Sequence, residues 1–385
     1  MSDRRGVRLA RRLGGWLRDG WLVVGATLAL LVVIELAYRG ARTALRPLFP
    51  DRLTGMGGAN HPYARERWFA PWEERRNRTL HDNTVYDPYR GYRLTAASLP
   101  GLHVDSAGHR VTVQRARAPA ARRLVLLGGS TMWGYNARDS LTIPSLVAAR
   151  LAARGIHDVE VVNLAEVGYN LTQGVATLLL ELRRGRVPAA VVSLDGVNEV
   201  DAVLNGGRPG EITDQRLAER RFARRGPGAA LLALGESSRF LRRVARLAAP
   251  ARPPAPSPER ACPAVAAYYG EMARVMGALG REYGFPVLLL WQPTLARSRK
   301  PRTAWEESLA DARPELQRLT VRCSALTDSL LSGGPARTYF PLHSLFDRDT
   351  ATVFLDHFGH VTERANGVIA DRAVELVAPL LASAP

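Results

Sequence analysis

From Leu124 to the C-terminus, apolar runs of strand length alternate with longer segments of helical period, and nothing else in the chain limits its fold so tightly. The runs predict strands over Leu124 to Leu127, Val159 to Asn163, Ala189 to Leu194 and Val287 to Trp291. The helical segments fall at Leu141 to Arg154, Thr172 to Arg184, Ala264 to Tyr283, Trp305 to Leu331 and Thr362 to Leu376. Such alternation builds a parallel sheet covered by helices, an α/β domain. Ile143, Leu146, Val147 and Leu151 share one helix face, as do Val175, Leu178, Leu179 and Leu182, and both stripes are core faces.

In an open parallel sheet, side chains just past the carboxyl ends of the strands point into a shared crevice. Three blocks stand there: Gly128-Gly129-Ser130-Thr131, Asn163 to Gly168, and Asp195-Gly196-Val197-Asn198. Gln292 follows the fourth strand at the same edge. With Trp133 and Tyr169, it is expected to pack or hold a loop. A fourth block, Asp356-His357-Phe358-Gly359-His360, precedes the last helix.

A serine hydroxyl is a weak nucleophile until a base lies within hydrogen-bond reach and a third group orients that base. His360 is the candidate base for Ser130, and Asp356, four residues away, would share one side of a helical turn with it. A tetrahedral intermediate also needs donors aimed at its oxyanion. The backbone N–H groups of Ser130 and Gly168 and the amide of Asn198 are the candidates.

These blocks, in this order, resemble those of the GDSL, or SGNH, hydrolase superfamily from Leu124 to the end. The resemblance implies a flavodoxin-like three-layer α/β/α sandwich and a serine esterase or acyl-transfer activity without metal or other cofactor. It further implies an oxyanion hole from the Ser, Gly and Asn blocks. The chain is more narrowly similar to membrane-anchored bacterial members with a short turn like Asp105 to Arg110 ahead of the serine block. It departs from the pattern in three places. Gly129 stands where the family has Asp, and Glu199 is expected to be solvent-exposed. The usual Asp-x-x-His spacing is one residue longer, so that Asp356 or a backbone carbonyl orients the imidazole. The resemblance leaves open an O-acyltransferase with the same triad, or a glycan-binding module on this scaffold.

Upstream, Trp21 to Tyr38 is an apolar stretch about long enough to cross a bilayer core as a helix. Six arginines precede it, and Glu35, its one charge, lies near the outer end within reach of the interface. The stretch is long for a signal-peptide core and no clear small-x-small cleavage site follows it, so it is a retained single-pass anchor. Residues 1–20 are then a cytoplasmic basic segment and the bulk of the chain is extracytoplasmic. Residues 39–120, rich in Arg, Pro, Gly and aromatics, form a stalk and lead-in with a small hairpin around Ser106 to Gly108. The hydrolase-like domain is 121–385, with an insertion at 205–262 that ends in the Pro-rich run PARPPAPSP. Within it, Ser237 to Leu247 reads as a short basic helix lying on the membrane, over the site, or simply in solvent.

The net charge of +17 is almost all arginine, with Lys300 the only lysine. No zinc spacing, recognition helix or aromatic-interleaved basic run points to nucleic acid. The expected partner is an acylated carbohydrate or other ester. Cys262 and Cys323 are too few for a disulfide scaffold and wrongly spaced for a metal cluster, and they either pair or remain two thiols.

Overall fold

The computed structural model describes residues 3–45, 61–114, 122–205, 207–212, 238, 240–241, 243–244, 256–333 and 338–382. Two compact units divide the chain. The first holds helix α1, Asp3–Leu45, within which Asp19–Ala41 is long and apolar enough to cross a membrane. Glu35 near its end is not a lone carboxylate reaching for an interface. It pairs with Arg39 at 2.6 Å and accepts hydrogen bonds from Ser238 Oγ at 2.8 Å and Phe240 N at 2.9 Å. The Phe240 ring meets Tyr38 edge-on, so Ser238 and Phe240 of the segment Ser237 to Leu247 seat against α1. The residues of that segment other than 238, 240–241 and 243–244, and the Pro-rich run before Pro256, lie outside the described residues.

In the second unit the described residues of the lead-in start at His61. Helix α2 is Phe69–Asp82, hairpin β1–β2 is Thr84–Asp87 with Gly91–Leu94, and a second pair, β3–β4, joins Ala97–Leu99 to Leu102–Val104. The turn expected at Ser106 to Gly108 is present, closed by Asp105 N to His109 O at 2.9 Å, with a bridge between Val104 and Arg110. Periodicity missed α2 because its buried face is Phe69, Trp72, Arg76 and Thr79, an apolar stripe with an arginine set in it.

The α/β core follows: β5 Arg122–Gly128, α3 Ser130–Trp133, α4 Ile143–Ala153, β6 Val159–Asn163, α5 Leu171–Arg183, β7 Ala190–Asp195 and α6 Val197–Leu204. Then come α7 Pro258–Tyr283, β8 Val287–Trp291, α8 Ala304–Ala310, α9 Pro314–Leu331, β9 Tyr339–Pro341 and α10 Glu363–Ala382. All five strands pair in parallel in the order β6-β5-β7-β8-β9. Numbered within the sheet that is 2-1-3-4-5, the flavodoxin-like order, with its switch point between β5 and β7.

The strand pleat sends alternate residues to opposite faces. Leu124, Leu126, Val192, Leu194 and Leu290 pack under α4 and α10, while Val125, Leu127, Val191, Leu289 and Trp291 pack under α5, α7 and α9. These form the three expected layers. Burial on both faces explains why β5, β7 and β8 are nearly unbroken apolar runs.

Three boundaries differ from the sequence expectation. The span Trp305 to Leu331 is two helices, because Pro314 cannot continue a helix and instead opens α9, after Arg313 turns at φ 134°. Helix α7 starts at Pro258, the last proline of the Pro-rich run, which suits the first helical position. Strand β9 has three residues at the sheet edge, too few to show an alternation.

Cys262 of α7 and Cys323 of α9 form a disulfide, buried between the two helices, with Cα atoms 4.4 Å apart and a sequence separation of 61. Closing a loop of that length in the unfolded chain should contribute about 2–4 kcal/mol. Replacing both cysteines with alanine is expected to lower the urea midpoint of the full chain in detergent accordingly. An unchanged midpoint would contradict a stabilising crosslink.

Candidate active site

Strand β5 ends on two glycines for different reasons. Gly128 has φ +141°, and a Cβ there would lie 2.3 Å from Leu194 O. Gly129 has ordinary extended dihedrals, but a Cβ on it would come within 2.4 Å of Asn198 Nδ2. A residue with a side chain therefore cannot stand at position 129 while Asn198 keeps its place. Ser130 follows as the first residue of α3.

His360 Nε2 lies 2.6 Å from Ser130 Oγ, and His360 Nδ1 lies 2.5 Å from Asp356 Oδ2. The longer Asp–His spacing is accommodated by a closed turn, not by the helical turn expected from the sequence. Phe354 and Val361 bridge its base, Leu355 N donates to His360 O at 2.8 Å, and Gly359 sits at φ +84°. The second Asp356 oxygen accepts from Phe358 N at 2.8 Å and His360 N at 3.2 Å. Burial would raise the Asp356 carboxyl, but the imidazole of His360, by charge and hydrogen bond, leads the groups that bring it below the ordinary carboxylate value. Gln292 Nε2 donates to Phe358 O at 2.9 Å, so Gln292 holds this turn, as expected of a loop residue. His357 does not join the chain of bonds, and burial lowers its imidazole from the usual value.

The Gly168 block lies alongside. Asn198 Nδ2 donates to Tyr169 O at 2.6 Å, linking the third block to the second. Gly168 has φ +81°, and Glu166 N donates to Gly128 O at 3.2 Å, tying the loop to the end of β5. Ser130 at the start of α3, Asn198 at the start of α6 and the loop of Gly168 are thus held side by side. Trp133 and Tyr169 are both buried, and Tyr169 Oη donates to Tyr92 O at 2.5 Å.

Glu199 is not exposed. It is fully buried and accepts from Leu171 N and Gly196 N, each at 2.9 Å, fixing the starts of α5 and α6 together. Burial raises its carboxyl, and it raises that of Asp195 further still, where the charge of Glu199 adds to desolvation. Among the described residues, no group of three or more His, Cys, Asp or Glu side chains is arranged to hold a metal ion.

The sequence blocks did not reveal how the lead-in engages this site. Arg110 is buried and donates to Gly134 O and Ala137 O, both at 2.7 Å, and to Asp139 Oδ1 at 3.0 Å. Its guanidinium lies 4.5 Å from the centre of the Trp133 ring. The arginine of the Asp105 to Arg110 turn thereby fastens the segment just after Ser130. Strand β2 fastens the Gly168 loop. Tyr92 Oη donates to Val167 O at 2.7 Å and Leu94 N to Glu166 Oε2 at 3.3 Å. The signal for these contacts was Arg110 and Tyr92 themselves, polar side chains in a segment without periodicity.

No protein-family model matches the sequence, and no curated protein matches it. Among solved structures the chain is similar to TesA, at 17% identity over 67% of this chain and 99% of that one, with a TM-score of 0.37. It is also similar to the acetyl xylan esterase AlAXEase (12% identity, 66% and 99% coverage, TM-score 0.37). A third is a lipolytic protein of the G-D-S-L family from Veillonella parvula (11% identity, 67% and 99% coverage, TM-score 0.36). These are distant likenesses, and the chemistry rests on the side chains of this chain.

Two outcomes can be measured. A Cβ at position 129 meets Asn198 Nδ2 at 2.4 Å, so under the oxyanion role proposed below for that amide Gly129→Ala is expected to lower kcat for p-nitrophenyl acetate by about 100-fold. Wild-type turnover in that variant would contradict that role. Glu166 gives the second. Burial pushes its carboxyl from 4.5 up to about 7, against the pull of the Val167 and Leu94 N–H groups and of Arg90 and Arg110. The folded chain keeps a proton that the unfolded chain releases. That stabilisation is complete below the unfolded value and is lost as pH rises through about 7. Glu166→Gln should therefore reduce the fall in stability across this window by on the order of 3 kcal/mol, read from urea unfolding at a series of pH values. An equally steep fall in the variant would contradict it.

Proposed function

We propose that the protein is a serine esterase of SGNH type, and the contact that carries this reading is the 2.6 Å approach of His360 Nε2 to Ser130 Oγ. Ser130 attacks the ester carbonyl while His360 takes its proton. Asp356 holds the imidazole through Nδ1 and stabilises the imidazolium that forms. The oxyanion is received by the N–H groups of Ser130 and Gly168 and by Asn198. One amide hydrogen of Asn198 goes to Tyr169 O, and the amide has a second to offer. As the intermediate collapses, His360 returns its proton to the leaving alcohol. Water, activated by the same imidazole, then releases the acid from Ser130.

The substrate proposed is an O-acyl group, foremost O-acetyl, on an envelope or exported glycan, reached by a domain tethered through α1 on the extracytoplasmic side. The Cys262–Cys323 disulfide supports that side, since such bonds persist in oxidising compartments. Release of acetate from an acetylated glycan without an added acceptor supports hydrolysis, whereas acetate appearing only on an added sugar would favour transfer.

A fluorophosphonate probe should label the wild type and not Ser130→Ala. Ser130→Ala and His360→Ala are each expected to lower kcat by at least about 10⁴-fold, and Asp356→Asn by about 10²–10⁴-fold. Equal labelling of wild type and Ser130→Ala would place the nucleophile elsewhere.

A further inference from the structure

Tyr135 is bound to both ends of the proposed proton relay. Its backbone N–H donates to Ser130 O at 3.0 Å, closing the turn after the nucleophile. Its ring lies flat on the His360 imidazole, with centroids 4.5 Å apart and planes 18° from parallel. On the Tyr135 ring there also rests the guanidinium of Arg76, with Cζ 4.0 Å from the centroid.

Arg76 belongs to α2 of the lead-in and is buried. Its donors are all engaged. Nη1 donates to Tyr135 O at 3.1 Å and Asn136 Oδ1 at 2.5 Å, while Nη2 donates to Glu73 Oε1 at 3.2 Å and Asn77 Oδ1 at 3.0 Å. Nε also reaches Asn77 Oδ1, at 3.3 Å. Burying a guanidinium is costly unless such partners surround it. Here they fix it on a ring that in turn faces the catalytic base.

Hydrogen bonds at Nδ1 and Nε2 bend readily, and an imidazole held by them can still swing through its side-chain torsions. A flat ring against one face restricts that swing. We infer that Tyr135 and Arg76 are positioning residues for the relay: the tyrosine ring holds the His360 plane toward Ser130, and Arg76 acts only through that ring. This rests on the esterase reading and adds to it a dependence on the lead-in helix. Small displacements of a positioned base cost rate out of proportion to their size, because the gain from orientation is lost.

The test uses the full chain in detergent with p-nitrophenyl acetate. Tyr135→Leu is expected to lower kcat about 10-fold, with KM within about twofold of wild type. Tyr135→Phe, which keeps the ring, should recover most of that loss. Arg76→Met should also lower kcat, and the double variant Arg76→Met/Tyr135→Leu should fall no lower than Tyr135→Leu alone, since removing the ring removes the route by which Arg76 acts. A merely structural arginine would lower the unfolding midpoint and multiply its loss with that of Tyr135→Leu. Losses that multiply, or a Tyr135→Leu variant with wild-type kcat, overturn the positioning role alone. A wild type that neither turns over the ester nor reacts with a fluorophosphonate overturns the esterase reading, and this inference with it.

Discussion

The site depends first on a buried carboxylate. Asp356 gives one oxygen to His360 Nδ1 and the other to two backbone N–H groups of its own turn, so the charge that orients the imidazole also shapes the loop carrying it. An ionised carboxylate in this position is tolerable because every direction it faces is answered by a donor or a positive partner. The turn is therefore held by the same interaction that it serves to aim. Gly359 permits it: its φ of +84° suits glycine, and a Cβ would meet Pro293 O at 2.8 Å.

Around that carboxylate the chain assembles three strand ends and a set of fastenings, from two sources. The sheet supplies the ends of β5, β6 and β7, which the flavodoxin-like order brings together at its switch point. The lead-in supplies the fastenings. Arg110 grips the segment after Ser130, Tyr92 and Leu94 grip the loop of Gly168, and Arg76 backs the ring that lies on His360. Two of these residues are arginines with charges fully buried, a large desolvation cost offset by several carbonyl and side-chain acceptors apiece. Arg76, Tyr92, Leu94 and Arg110 bring the lead-in against the elements that carry Ser130, Gly168 and His360.

The α/β core was legible because β5, β7 and β8 are buried on both faces and are mostly Val, Leu and Ala, and because the helices show their core stripe at the proper period. Ser130, Gly168 and Asn198 stood out for another reason: each follows a predicted strand by a few residues, where this sheet type collects ligands, while His360 stood out in the block before the last helix. Asp356 could be named but not its geometry, since the turn depends on a left-handed glycine and a strand bridge that spacing does not encode. Glu199 was misread because a charged residue early in a helix is usually solvated, whereas here it ties two helix starts together in the interior. Helix α2 escaped notice because its inward face contains Arg76, which breaks the apolar pattern while being as buried as its neighbours.

The account stands or falls on a covalent bond to one hydroxyl. Wild-type protein turning over p-nitrophenyl acetate, quenched in acid, digested and examined by mass spectrometry, should carry an acetyl group on the peptide containing Ser130, at Ser130 itself. Acetyl at another side chain, or steady product release with no modified peptide under conditions that trap a slow deacylation, would contradict it.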